Sequence, residues 1–265
     1  EWTEYDETIC SVDPSGRGTD ETAAAYISQK NGFLYLHEMR AYRDGYSDDT
    51  LLNILRGCRK YGVTSLVIET NFGDGIVSEL FKKHLIQTRQ NIFIEEVRAN
   101  VRKEDRIIDS LEPVLNQHRL IVNRSVIDWD YSSNKDCAPE SRLLYMLFYQ
   151  MSRMCREKGA VKHDDRLDVL AMGVKYYTDA LAISAYEAVK NKIISPIFIG
   201  DEKEIKVCAN QLDWDISKFE IIHEPVENNT ASIAAKLASE NKIKIIVKGH
   251  IHTDVLMKEV LKRDY

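Results

Sequence analysis

The sequence predicts an α/β fold in two parts: a mixed sheet with flanking helices over residues 1–178, then a doubly wound, parallel β/α segment over residues 179–265. Three observations carry this. The chain opens with alternating apolar runs separated by the turn signals PSGRG and QKNG, the pattern of an antiparallel meander. From residue 48 onward, amphipathic helical stretches alternate with short buried-strand patterns. After residue 179 the alternation becomes regular and the choice of basic residue changes with it. Residues 1–178 hold 15 of the 16 arginines, whereas residues 179–265 hold 11 lysines and only Arg263.

In chain order, strands are expected at 8–13, 22–29 and 33–40. A helix at 48–61 follows, opened by the capping residues Ser47 and Asp48. TSLVIET (64–70) reads as a buried strand because its centre is β-branched and apolar, and a helix at 76–86 and the strand NIFIEEV (91–97) come next. A helix at 103–117, a short strand at 119–122 and helices at 140–157 and 164–177 complete the first part. A three-strand meander followed by alternating α and β elements points to a ribonuclease H-like (RNase H-like) sheet. Beyond it, helices at 180–191, 201–211, 229–240 and 253–263 alternate with strands at 196–200, 219–224 and 244–249. The boundary falls in YYTDALAIS, where one helical pattern runs into another.

Composition sets limits without choosing a function. The 265 residues, 44% hydrophobic and 29% charged, can build a sizeable core. Five scattered cysteines (Cys10, Cys58, Cys137, Cys155, Cys208), odd in number and without CxxC spacing, suit a reducing compartment and argue against a zinc site or a disulfide framework. No apolar run approaches the roughly 18 residues of a membrane span, and EWTEYDET has no signal-peptide pattern, so a soluble protein with no membrane partner is expected. Residue 1 is Glu rather than Met, which leaves open that the chain is a piece of something longer. A net charge of −6 argues against a generic nucleic-acid coat. Arginine's planar fork still allows local phosphate-binding strips in the first part, although the arginine shift equally fits separate origins of the two parts.

Acidic residues at three separated places suggest the chemistry. Asp13 ends the first strand in SVDPSGRGTDET, Glu69 ends the fourth in LVIETNFGDG, and Asp164, Asp165 and Asp168 open a helix in KHDDRLDVLAMG. Carboxylates at the ends of apolar strands are costly unless neutralised, and converging ones repel until a hard cation such as Mg²⁺ or Mn²⁺ joins them. That pattern implies a metal-dependent phosphodiester nuclease. Three unrelated acidic loops are the bland alternative.

Several of these segments together resemble the C-terminal nuclease domain of the terminase large subunit of short-tailed, double-stranded DNA phages. They are VDPSGRGTDET, YRDGYSDDT, ETNFGDG, EEVRANVRKEDRIIDSLEPVLNQHRLIV, LFYQMSRMCREKGA and HDDRLDVLA, and the resemblance runs in order over about residues 8–178. It implies an endonuclease that cuts concatemeric phage DNA during packaging in the cytoplasm of the infected bacterial host. It also implies double-stranded DNA, a terminase ATPase domain, the small terminase subunit and the procapsid portal as partners. GxxxxGK[ST] is absent, so the motor is expected to precede Glu1 in a parent protein. Residues of about 180–265, with PIFIGDEKEIK, FEIIHEP and VKGHIHTDVLMKEVLKRD, resemble a fragment of phosphate acetyl- or butyryltransferases. The alternatives to the nuclease are a non-catalytic DNA- or procapsid-binding module, or acyl transfer from this tail.

On this reading Asp13 and Glu69 hold metal between adjacent strands and Asp165 completes a catalytic site of two cations about 3.5–4 Å apart. Within HDDRLD, Asp165 is placed first, Asp164 second and Asp168 third; Asp165 and Asp168 share a helical face, and Asp164 suits a cap. Asp74 stays open between accessory ligand and helix cap, and His163 between ligand and ordinary helix-start residue. For DNA contact the strip RANVRKEDR is favoured, with Arg98, Arg102, Lys103 and Arg106 at a helix start. Like charges at i and i+4, as in Arg102 and Arg106, repel on a helix unless a phosphate relieves them. Arg17 and Arg43 are weaker candidates. In the tail, Lys248, His250, His252 and Thr253 occupy a strand-to-helix turn and are read as exposed loop polar groups, with an anion site as the alternative.

Overall fold

The computed structural model describes residues 4–15, 20–70, 75–98, 102–249, 251 and 253–262, with the side chains of 179–184, 211, 253 and 254 set aside. The chain divides into two compact units, Glu1–Tyr176 and Tyr177–Tyr265.

The first unit is built on six strands. β1 (Glu7–Asp13), β2 (Thr22–Lys30) and β3 (Phe33–Tyr42) form the expected antiparallel meander. Asn31 and Gly32 take positive φ in the turn between β2 and β3, the conformation that a tight hairpin requires. β4 (Ser65–Glu69) and β5 (Phe93–Val97) add in parallel beside β1, and β6 (Leu120–Val122) adds in parallel beside β3. The order is β5-β4-β1-β2-β3-β6, so β1 and β4 lie side by side in the middle of the sheet and their carboxyl ends are neighbours.

Helices cover both faces. α1 (Asp48–Tyr61) is capped by Ser47, whose hydroxyl accepts from the Thr50 amide, and stops at Gly62 in the left-handed conformation. It presents Leu51, Ile54, Leu55 and Cys58 to the sheet, where they meet Cys10, Val12, Tyr26, Leu66 and Ile68 together with Phe81 and Leu85 of α2 (Ile76–Thr88). Each such buried side chain contributes on the order of 1.5–3 kcal/mol. α3 (Lys103–Asn116) buries Ile107, Leu111 and Val114.

The helix α6 (Asp165–Lys190) begins at the site end of the first unit. Gly173 lets it come close, because a Cβ there would stand 2.6 Å from Ile27 Cδ1 and 2.8 Å from Ser11 Oγ. Ser11 of β1 donates a hydrogen bond of 2.8 Å to the Val169 carbonyl, fixing the helix in rotation and height on the strand.

Four expectations are corrected. The helix at 140–157 is instead a short 3-10 turn, Arg142–Tyr145, followed by α5 (Leu147–Arg153). The Asp130 carboxylate restarts the helix there by accepting from the amides of Leu147 and Phe148. Asp130 lies on an unanticipated helix, α4 (Arg124–Ser132), opened by Asn123 capping the Ser125 amide. The two helices expected at 164–177 and 180–191 are one continuous helix, α6, since neither Pro nor a further Gly interrupts the stretch after Gly173.

The fourth correction lies in the second unit, where β7 (Ile197–Gly200) and β8 (Glu220–His223) pair in parallel, with α7 (Glu202–Gln211), α8 (Glu227–Ser239) and α9 (Thr253–Val260). The strand expected at 244–249 is not formed. Ile245 is 73% and Val247 66% exposed, so the apolar alternation there is not buried against a sheet. The described residues therefore hold a two-stranded parallel pair rather than a full doubly wound sheet. An aromatic cluster of Tyr186, Phe198, Trp214 and Phe219 packs against it.

Candidate metal centre

The carboxyl ends of β1 and β4 deliver Asp13 and Glu69 side by side, and the first turn of α6 delivers Asp168 opposite them. One ligand oxygen from each of the three lies within 4.8 Å of the others. Glu69 is 8% and Asp168 1% exposed. Burial, reinforced by the Glu69 and Asp168 charges, holds the Asp13 carboxyl well above the usual carboxylate range. Burial also pushes Asp168 up, against the pull of Lys103 and Arg106. Three crowded carboxyls, with Asp13 and Asp168 resisting ionisation, are the electrostatic signature of a site suited to a divalent cation.

Two basic side chains of α3 share this charge. Arg106 spans Glu69 (Nη1 to Oε1, 3.0 Å) and Asp168 (Nη2 to Oδ1 and Oδ2, 2.8 and 2.7 Å). Lys103 Nζ stands 2.7 Å from Asp164 Oδ1 and 3.2 Å from Asp168 Oδ2. Burial works against the Lys103 ammonium, but Asp168, Asp164 and Asp13 outweigh it and hold its pKa well above the lysine range. Arg106 Nε is buried without a hydrogen-bond partner.

The strip expected to meet DNA is thereby divided. The unrelieved repulsion anticipated between Arg102 and Arg106 is absent, because carboxylates partner both, local ones for Arg102 and distant ones for Arg106. Arg106 turns onto the acidic centre, and Arg102 pairs with Asp105 at 3.1 Å, pairs with Glu104 at 3.7 Å, and donates to the Arg156 carbonyl. Arg98 is exposed. Arg43 pairs with Glu21 at 3.3 Å and lies over the Tyr145 ring. Arg17, Asp74, His250 and His252 lie outside the described residues. In the tail, Lys248 donates to the Ile251 carbonyl.

The acids of HDDRLD are therefore sorted by the helix. Asp168 joins Asp13 and Glu69, and Asp164 holds Lys103. Asp165 instead gathers with Asp20 and His163, its Oδ2 accepting from the Glu21 amide at 3.0 Å. Burial pushes Asp165 up to about 6 against that amide and the Lys103 charge.

Arg166 was not anticipated. It is 1% exposed, forks onto Glu21, and reaches Asp130, Ser133 and Asn134, with its guanidinium over Trp129. A buried Arg needs all these acceptors, and in satisfying them it ties the start of α6 to α4 and to the segment before β2. The only sequence signal for it is its place one residue after Asp165 in HDDRLD.

A central β1–β4 pair ending in acids, with a third acid supplied by a helix, defines the class: an RNase H-like sheet carrying a candidate divalent-cation centre. Residues 12–120 match the family model of the bacteriophage T7 terminase ribonuclease H-like domain. The chain is 43% identical over 182 residues to the terminase large subunit of Enterobacteria phage T3, covering 69% of this chain and 31% of that protein. It thus spans about a third of the terminase relative's length. Among solved structures, the nuclease domain of the large terminase subunit gp2 of bacterial virus Sf6 is similar at 11% identity and a TM-score of 0.45, covering 65% of this chain and 90% of that one. A second likeness is to the phosphate acetyltransferase of Rickettsia typhi, 28% identical over 113 residues, or 40% of this chain and 32% of that protein.

Proposed function

We propose that the first unit is a Mg²⁺- or Mn²⁺-dependent endodeoxyribonuclease that cuts concatemeric phage DNA as genomes are packaged. The observation that carries the reading is the meeting of Asp13, Glu69 and Asp168 oxygens within 4.8 Å at the ends of adjacent strands. All-oxygen donors of this kind suit a hard divalent cation. Bound there, and paired with a second ion as a two-metal mechanism requires, it would polarise the scissile phosphate and lower the pKa of an attacking water. Asp13, Glu69 and Asp168 would hold the ion. Arg106 fixes the rotamers of Glu69 and Asp168, to which it is hydrogen-bonded. Lys103, protonated and on a flexible stem, is free to exchange a carboxylate for a phosphate oxygen of the bound strand. Arg98 and Arg102, with Arg17, would contact the backbone and carry no sequence information.

The T3 relative is a terminase large subunit, and the reading extends from it to a DNA substrate, an adjoining ATPase domain, the small terminase subunit, the procapsid portal and the host cytoplasm. The test is incubation of supercoiled plasmid with the protein and Mn²⁺. Nicking or linearisation is expected, lost with EDTA and in Asp13→Asn, Glu69→Gln and Asp168→Asn. Cleavage that persists in all three variants rejects the site. The chain spans about a third of that acyltransferase relative, and no acyl transfer is proposed for it.

A further inference from the structure

We propose that Asp20, His163 and Asp165 form a second cation seat, chemically unlike the first, that selects a transition-metal ion such as Mn²⁺ over Mg²⁺. One ligand atom from each of the three residues lies within 4.8 Å of the others. His163 is 6% exposed, and its Nδ1 is buried without a hydrogen-bond partner. That nitrogen stands 3.8 Å from Asp20 Oδ1, too far for a hydrogen bond. It is within the span of up to about 4.2 Å that two ligands keep around one ion when each stands about 2.1 Å from it.

Two of the three donors are held in place before any ion arrives. The imidazole of His163 stacks on Tyr145 with 4.3 Å between centroids and 20° between planes. Asp165 is anchored by the Glu21 amide. Asp20, at 68% side-chain exposure, stands at the mouth and gives the ion a way in. The nitrogen sets the selectivity. A first-row transition ion accepts an imidazole nitrogen, Mn²⁺ less strongly than Zn²⁺, whereas Mg²⁺ prefers oxygen alone. Carboxylates from Asp20 and Asp165 supply the charge that a dication needs.

This seat exists or fails independently of DNA cutting, so its test reads the metal directly. Mn²⁺ is added to the protein in excess Mg²⁺, and electron spin-echo modulation is recorded. A ¹⁴N coupling from the imidazole is expected in the wild type and in Asp13→Asn, and should vanish in His163→Gln. Mn²⁺ affinity at this seat should fall about tenfold or more in His163→Gln while Mg²⁺ binding is unchanged. If His163→Gln melts out of its fold, Asp20→Asn, at an exposed side chain, decides the matter by the same loss of affinity. No ¹⁴N coupling in the wild type, an unchanged coupling in folded His163→Gln, or unchanged Mn²⁺ affinity in Asp20→Asn would overturn the proposal. Loss of plasmid cleavage in Asp13→Asn with the ¹⁴N coupling intact would separate the two centres.

Discussion

Withholding metal should make the first unit less stable as pH rises through the acidic range, and Asp165 allows the size of the effect to be worked out. Burial raises its carboxyl from an ordinary value near 3.8 to about 6. A group whose pKa is higher in the folded state binds its proton more tightly there. The stabilising contribution is complete below the unfolded value and is lost as pH climbs through about 6. Two units at about 1.4 kcal/mol each give roughly 3 kcal/mol. For a unit of this size that is a fall in Tm of roughly 6–12 °C. Asp13 and Asp168 are raised too and act in the same direction. Ion-paired carboxylates elsewhere, such as Glu38, act oppositely, so the informative quantity is the difference between wild type and Asp165→Asn. Asn keeps an oxygen for the Glu21 amide but cannot ionise. Melting curves in EDTA from pH 4 to pH 7.5 should show wild type losing stability relative to Asp165→Asn by about that amount. Parallel curves for the two proteins would refute the claim that Asp165 is buried at the expense of its charge.

Further outcomes follow from the same geometry. Adding Mg²⁺ at pH 7.5, an ion that the His163 seat disfavours, should stabilise the wild type by about 2.7 kcal/mol at a hundredfold excess over Kd and raise its Tm accordingly, and Asp168→Asn should remove most of that rise; equal rises in both would detach Asp168 from the ion. Arg166→Ala leaves Glu21 and Asp130 buried without their guanidinium and should cost about 3–5 kcal/mol in denaturant unfolding, whereas a loss below about 1 kcal/mol would mean the network is dispensable. Gly173→Val should lower stability by about 1–3 kcal/mol by forcing α6 off Ser11 and Ile27, and a neutral result would contradict the close approach.

Much of this architecture is legible because it is local. The meander, α1 and the β4 strand follow from period and punctuation, and Asp13 and Glu69 stand out as acids that close apolar strands. What is not local is harder to read. Asp165 and Asp168 share a helical face in the sequence. Which of them meets Asp13 depends on the height at which α6 rests on β1, and that height is set by the Ser11 bond to Val169 and the missing Cβ of Gly173. Arg102 and Arg106 look like repelling neighbours until residues 37 and 62 positions from Arg106 supply its carboxylates. Arg166 reads as a surface arginine because its partners Glu21 and Asp130 lie 145 and 36 residues away. The 244–249 run has the composition of a strand, but composition cannot supply a neighbour to pair with.

The most direct test of the central claim is a crystal soaked in Mn²⁺ and measured at the manganese absorption edge. The geometry calls for an anomalous peak bonded to oxygens of Asp13, Glu69 and Asp168 at about 2.0–2.2 Å, the range for carboxylate ligands of such ions. A saturating soak in which those three carboxylates hold no ion, and remain paired only with Lys103 and Arg106, would contradict it.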